Sequence, residues 1–369
     1  MNLLTTATTI QMVSAASVEM QHANIIGTVE KIKSRASAPL ISLFCGAGGL
    51  DLGFTQEGFE SILALDNNSS AIESFNANFP FQAGLEADLG ALRSAKFMTL
   101  VEGVVACTGI PPIGVIGGPP CQGVSNSNVG AHSSDPRNSL MTTYLRLLNA
   151  LEEKYEIDFF VFENVPGLLN AKNRIRFTKL RGELSKRFHI TVQKVDAADF
   201  GVPQHRERVL IFGVNRKRYM NPIKPLAKLG EPAKSVRTAI AHLVEPVFFS
   251  KGLDPAVFPV HPNHWTMNPK SVKFKQKTES VGRSFRKLHW DLPSRTVAYG
   301  HREIHVHPIG HRRLSIYEGM LLQGFPSTFV LKGTLSAQVQ QVSNAVPPPL
   351  ARNIAKHIKL ALMGELNDR

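Results

Sequence analysis

Between residues 39 and 214, short apolar runs alternate with stretches whose apolar residues recur at helical spacing. The runs are Leu40–Cys45 (LISLFC), Ser61–Asp66 (SILALD), Gly114–Gly118 (GVIGG), Asp158–Val165 (DFFVFENV) and Arg208–Val214 (RVLIFGV). Between them, Ser139–Lys154 and Arg174–Arg187 read as helices. Strand and helix in alternation predict an α/β fold with a largely parallel sheet. The end of this region differs. His189–Ala197 (HITVQKVDA) and Arg208–Val214 are separated by a short loop, which predicts a closing antiparallel hairpin.

After Asn215 the texture changes: Pro and His rise and amphipathic helices vanish. Helical patterning returns in LSIYEGMLLQGFP and in PPPLARNIAKHIKLALM, which is apolar at Leu350, Ile354, Ile358 and Leu362. The expected organisation is a mobile arm over 1–38 with one short helix near Val29–Arg35, an α/β domain over 39–214 and 312–369, and an inserted segment over 215–311. No apolar run approaches the roughly 18–20 residues of a transmembrane helix, and the first 38 residues lack the apolar core of a signal peptide.

Charge sharpens this division. The 369 residues carry a formal net charge of +13. Residues 215–313 hold 19 Lys and Arg against 6 Asp and Glu, while the remainder holds 23 of each. A basic segment spliced into a neutral protein points to a polyanion, and nucleic acid is the expected one. Three cysteines of unrelated spacing make neither a disulfide framework nor a zinc pattern, which fits a reducing cytoplasm.

The chemistry-bearing residues fall at the ends of the apolar runs. LFCGAGGLDLGF follows the first strand and opens a helix, so Gly46, Gly48 and Gly49 would let backbone approach a ligand. Alone, such a turn is a weak signal. Asp66 ends the next strand about 20 residues on, where a carboxylate commonly takes a ribose hydroxyl pair. Asp88 could receive an adenine amino group. No Walker lysine follows, so a nucleoside-containing cofactor is favoured over a triphosphate. GGPPCQGVS places Cys121 just past a strand, beside that crevice, where a thiol needs activation to act as a nucleophile. FENV ends its strand in Glu163 and Asn164, and VPQHRERVLIF supplies Arg206 and Arg208. Taken singly, these acids and arginines read as ordinary strand-end charges.

As an ordered set they do not. FCGAGG, PPCQG, FENV, QHRER, RRLSIYEGMLLQGFP and QVSNAVPPPLA resemble, in order and spacing, the cytosine-5 DNA methyltransferase family, over residues 40 to about 360. The resemblance implies an S-adenosylmethionine-dependent methyltransferase fold, with a mostly parallel seven-stranded sheet, helices on both faces and a small DNA-recognition domain. It implies that Cys121 adds to C6 of a flipped-out cytosine. Glu163 would hydrogen-bond the base edge, and Arg208 would hold the base carbonyl with Arg206 in support. Phe44, Asp66, Asp88, Pro120, Leu140 and Asn344 match positions that contact S-adenosylmethionine, together with the glycine turn. Gln122 and Ser125 would close over DNA, and Arg137 would touch phosphate. Two departures, Asp66 where the family usually has Glu and Ser343 where it usually has Gly, bear on cofactor affinity and not on the reacting atoms.

In the same family, the stretch matching 215–311 reads the target sequence. Lys273, Lys275 and Lys277 would share one face of an extended strand, with Phe274 opposite, which suits phosphates. Arg295 and Thr296 would border recognition loops. His301, His305, His307 and His311 have metal-like spacing, but no cysteine supports a metal site, and histidines facing DNA or solvent are expected. The expected enzyme is a monomeric, cytoplasmic, prokaryotic modification enzyme acting on duplex DNA, with no membrane partner and with a cognate restriction endonuclease as a possible companion. The rival readings are an RNA cytosine-5 methyltransferase and a catalytically silent DNA-binding relative.

Overall fold

The computed structural model describes residues 38–120, 140–250, 252, 254, 258, 260–268, 286–296 and 305–364. Seven strands form one sheet: β1 (Ala38–Leu43), β2 (Phe59–Asp66), β3 (Gly84–Glu86), β4 (Gly114–Gly117), β5 (Phe159–Asn164), β6 (Phe188–Asp196) and β7 (Glu207–Asn215). Their order is β3-β2-β1-β4-β5-β7-β6. β7 alone runs against its neighbours, pairing antiparallel with β5 and β6 while β1, β2, β3, β4 and β5 pair in parallel. The mostly parallel sheet and its closing hairpin are as the sequence predicts. β3 escapes sequence reading because three residues are too few to show a period.

Both faces are covered. On one lie α1 (Gly49–Gln56) and α9 (Pro348–Leu362), packed over Phe159, Val161, Leu210 and Phe212. On the other, α3 (Ser94–Thr108), α4 (Leu140–Glu152) and α5 (Arg174–Ser185) cover Ile41, Val115, Phe160 and Ile211. α4 buries Met141, Tyr144, Leu148 and Leu151 at helical spacing, and the Tyr144 hydroxyl lies 3.2 Å from Val115 O and 3.0 Å from Val161 O. In α9, prolines at the first turn cost no intrahelical bond. Leu350, Ile354 and Ile358 then face the sheet. A Cβ on Gly53 of α1 would strike the backbone of Ala351 and Arg352. The two ends of the described chain therefore meet at backbone contact, and the C-terminal helix completes the sheet's cover.

A third cluster joins α2 (Ser69–Asn78), α7 (Ile316–Leu322) and α8 (Leu335–Asn344) to the described part of 215–311. That part holds α6 (Val236–Ile240) and two pairs of two-residue strands, β8 (Val247–Phe248) with β9 (Trp265–Thr266) and β10 (Arg286–Lys287) with β11 (His305–Val306). Val236, Ile240, Trp265 and Leu288 pack into the same core as Ile316, Tyr317 and Met320. The expected helix near Val29–Arg35 lies outside the described residues. Among the described residues, no helix is long and apolar enough to cross a membrane.

Candidate active site

The chain leaves β1 through a turn in which Phe44 (φ +58°), Gly46 (+55°) and Gly48 (+91°) all take left-handed backbone. A non-glycine residue such as Phe44 pays strain there, and such strain collects at functional sites. The three glycines serve different ends. A Cβ on Gly48 would strike Phe79 and Phe75, and one on Gly49 would strike the carbonyl of Val346. Around Gly46, nothing lies within 4 Å of where a Cβ would be. Gly48 and Gly49 are therefore packing glycines, and Gly46 borders open space.

Asp66 closes this turn from the end of β2. Its Oδ2 accepts the Gly46 N–H at 2.9 Å and its Oδ1 accepts the Asn68 N–H at 2.9 Å. Burial pushes its pKa up, against these backbone N–H bonds. Asp88 folds its carboxylate onto the Gly90 N–H at 2.9 Å, and the Leu140 side chain flanks Gly90. From the far end of the chain, Ala345 and Val346 reach Gly49, while Ser343 and Ala345 offer their carbonyls to Arg206 at 2.6 and 3.0 Å. Asn344 is thereby held, exposed, between the glycine turn and the start of β7. Open backbone at Gly46 beside two turn-end carboxylates fits a nucleoside-bearing ligand.

The second half of the site lies where β5 and β7 adjoin. Their register sets Glu163 opposite Leu210, so Arg208, two residues away, shares Glu163's face. The Arg208 Nε lies 2.7 Å from Glu163 Oε1, with the Glu163 residue 8% exposed. Burial draws the Arg208 pKa down and the Glu163 carboxylate opposes it. Glu163 Oε2 sits against the Cα of Gly118, where a Cβ would clash. Asn164 donates from Nδ2 to Pro119 O at 3.1 Å. β5 thus grips the Gly118–Pro120 segment that leads into Cys121.

Arg206, 1% exposed, is spent on the carbonyls of Ser343 and Ala345, a supporting position. Sequence reasoning missed Asp196, which holds this segment by accepting the Arg206 N–H at 2.8 Å and pairing with His205 Nδ1 at 2.8 Å. Its one signal was an acid ending a strand just before the loop. Asn164, a polar strand end in the sequence, anchors Pro119. Arg295 is exposed, and the strap around it docks on the same segment. His205 N–H donates to Ser294 O at 2.8 Å and the Thr296 hydroxyl to His205 O at 2.7 Å. Cys121, Gln122, Ser125, Arg137, Lys273, Lys275 and Lys277 lie outside the described residues.

The two described cysteines differ in exposure. Cys45 is buried, and burial together with the charges of Asp51 and Asp66 pushes its thiol pKa well up. Cys107 lies exposed on α3. The histidine expectation needs correction. His305 and His307 face neither DNA nor solvent, being 1% and 4% exposed. His307 stands edge-on to Trp290 and near the Arg312–Glu318 ion pair, and burial lowers its pKa to about 4. His311 is exposed and pairs with Glu245 at 3.1 Å. His301 is outside the described residues.

The strand order, the glycine turn and the strand-end carboxylates fit a nucleotide-binding α/β enzyme, and the family and fold that the chain matches imply a methyl donor of the S-adenosylmethionine type. The family model for C-5 cytosine-specific DNA methylase matches residues 39–360. The chain belongs to that family and is a DNA (cytosine-5)-methyltransferase. It is 30% identical to the type II methyltransferase M.DdeI of Desulfomicrobium norvegicum, over 86% of this chain and 88% of that one. It is 32% identical to the type II methyltransferase M1.HphI of Haemophilus parahaemolyticus, over 87% of each. A prophage-encoded E. coli protein assigned as a DNA modification methyltransferase shares the fold, with a TM-score of 0.68 at 24% identity, over 89% of this chain and all of the other.

Proposed function

We propose that the chain methylates C5 of a flipped-out cytosine in a specific duplex DNA sequence, through a covalent bond between Cys121 and C6. The observation that carries this reading is the buried Glu163–Arg208 pair against Gly118, three residues before the thiol. Cytosine C5 is a poor nucleophile. The Cys121 thiolate forms an S–C6 bond, and the C5–C6 π pair moves to C5, which then bonds to methyl. A base then takes the C5 proton, the C5–H bonding pair re-forms the C5–C6 π bond, and the S–C6 pair leaves with sulfur, freeing the thiolate. S-Adenosylmethionine, when bound, supplies an electrophilic methyl group. Gly46, Asp66 and Asp88, with Phe44, Pro120, Leu140 and Asn344, would hold it. Glu163 would bond the N3 and N4 edge of the base, and Arg208 its carbonyl oxygen. A base inside the helix could not meet these groups, so the nucleotide must leave the stack.

The segment over 215–311 is proposed as the recognition module of a monomer, bounded by a catalytic domain over 39–214 and 312–369. Its charge supports phosphate contact, with Lys273, Lys275 and Lys277 as positioning cations and Arg295 at a base-reading loop. The names of the type II relatives support a modification role beside a restriction endonuclease. Bisulfite sequencing of plasmid from a host making the protein tests the reading, with in vitro methyl transfer to duplex DNA and to tRNA alongside. Unconverted cytosines at one recurring sequence are expected. Transfer to tRNA alone would favour the RNA reading, and no transfer to either would favour a silent DNA-binding relative.

A further inference from the structure

The charge tally hides a second basic concentration, outside the segment proposed to read DNA. Residues 166–190 hold seven Lys and Arg against one acid, Glu183. Most of them lie on or beside α5, whose Phe177, Leu180 and Leu184 pack toward the sheet. Lys172, Arg174, Lys179 and Arg181 are exposed. Among the described residues none of these four has an ion pair, whereas Glu183 pairs with Lys186 at 2.6 Å.

The chain's course sets where this face points. β5 ends at Glu163 and Asn164, and two short turns over 166–169 and 171–173 lead into α5. β6 then begins at the opposite sheet edge, since β5 and β6 both run antiparallel to β7. α5 must therefore descend from the active-site edge. At about 1.5 Å per residue, Lys172 and Arg174 sit near that edge and Arg181 about 10 Å below Arg174.

This placement opposes the helix's own electrostatics. A helix N-terminus carries partial positive charge and favours anions. The first turn of α5 has no acid and begins with Arg174 and Arg176. Its N-cap, Asn173, does not cap with its side chain, which instead donates to Gly167 O at 2.7 Å. Ile175, 86% exposed, stands among these cations. Lys172 and Arg174, gathered where a helix repels cations, and Lys179 and Arg181 further along it, have no carboxylate partner among the described residues and form a surface suited to an external polyanion.

We infer that Lys172, Arg174, Lys179 and Arg181 form a second phosphate-contacting surface, gripping the backbone of the same duplex on the catalytic-domain side. The inference rests on the proposed action at duplex DNA. Phosphate contacts of this kind position a protein without reading bases.

The test replaces all four by Gln in the full chain and measures binding to a long duplex across a salt series. Each lost phosphate contact lowers the slope of log K against log salt by about 0.9, so a fall of about 2–3.5 is expected. A charge-preserving variant (Lys172→Arg, Arg174→Lys, Lys179→Arg, Arg181→Lys) should keep the wild-type slope. The Gln variant should melt no lower than wild type, because repulsion at the helix start is relieved. An unchanged slope, an equal loss in the charge-preserving variant, or a lower melting temperature would each overturn the inference. A wild-type chain that methylates no DNA would sink the function instead; one that does so, with an unchanged slope in the Gln variant, would sink only this surface.

Discussion

Arg208 Nε lies 2.7 Å from Glu163 Oε1, and both side chains are about nine-tenths buried. Each neutralises the other before any base arrives, so neither edge of the site is an unpaired buried charge. Glu163→Gln keeps the shape and a hydrogen-bonding oxygen but strands the guanidinium. Methyl transfer should fall by about 10²–10⁴ if Glu163 assists at the base edge. Stability should fall by about 1–3 kcal/mol. Single-turnover kinetics and urea melts separate the two effects. Wild-type turnover in the variant would remove Glu163 from the chemistry.

Asp66 ties Gly46 to Asn68 through both carboxylate oxygens. Asp66→Ala should weaken S-adenosylmethionine binding by about 1–3 kcal/mol, through the lost ligand partner and the loosened turn. Calorimetry without DNA checks this. Unchanged affinity would reject the ribose assignment.

Arg312 and Glu318 form a buried bidentate pair, with both N–O distances 2.8 Å. Glu318 also accepts the Ser315 N–H at 2.7 Å, closing the cap of α7, and Arg312 Nε reaches Glu245 at 2.7 Å. Removing one partner should cost about 3–5 kcal/mol, because a desolvated charge remains. Arg312→Met combined with Glu318→Gln should cost less than the two single changes summed. Additivity in urea denaturation would show that the pair is not coupled.

Asp51 in α1 is wholly buried, with Ser61 Oγ donating to its Oδ1 at 2.6 Å, and burial raises its pKa from 3.8 to about 6. The folded state therefore holds this proton more tightly than the unfolded chain. Its contribution to stability is present below about pH 4 and is lost as pH rises towards 6, by about 3 kcal/mol in all. Asp51→Asn should gain on wild type by that amount between pH 4 and 7. A pH-independent difference in melting would show that Asp51 does not titrate in this range.

Much of this architecture is legible in the residues. Ile62 through Leu65, or Phe159 through Phe162, are apolar without interruption because strands buried on both faces leave no polar side. The glycine turn and Glu163 follow such runs and Arg208 opens one, but singly they read as an ordinary turn and strand-end charges; the ordered set of motifs is what made them legible. The pairing of Glu163 with Arg208 was not, since it depends on register between strands far apart in sequence. The contacts of Asp196 with the Arg206 N–H and of the Ser294–Thr296 strap with His205 were hidden too, because at least one side of each is a backbone group, which carries no sequence signature. His305 and His307 misled because spacing says nothing of what covers a side chain. For His307, Trp290 stands edge-on to the ring and Glu318 lies 3.7 Å from it.

The central claim is that Cys121 attacks the base. A duplex carrying 5-fluorocytosine at the target position tests it, because fluorine cannot leave C5 as a proton and elimination stalls. With S-adenosylmethionine present, the wild-type chain should form a denaturation-resistant adduct with this DNA on an electrophoresis gel, and Cys121→Ser should form none. An adduct of equal yield in Cys121→Ser would place the nucleophile elsewhere, and no adduct in a wild-type enzyme that still methylates ordinary DNA would contradict covalent catalysis.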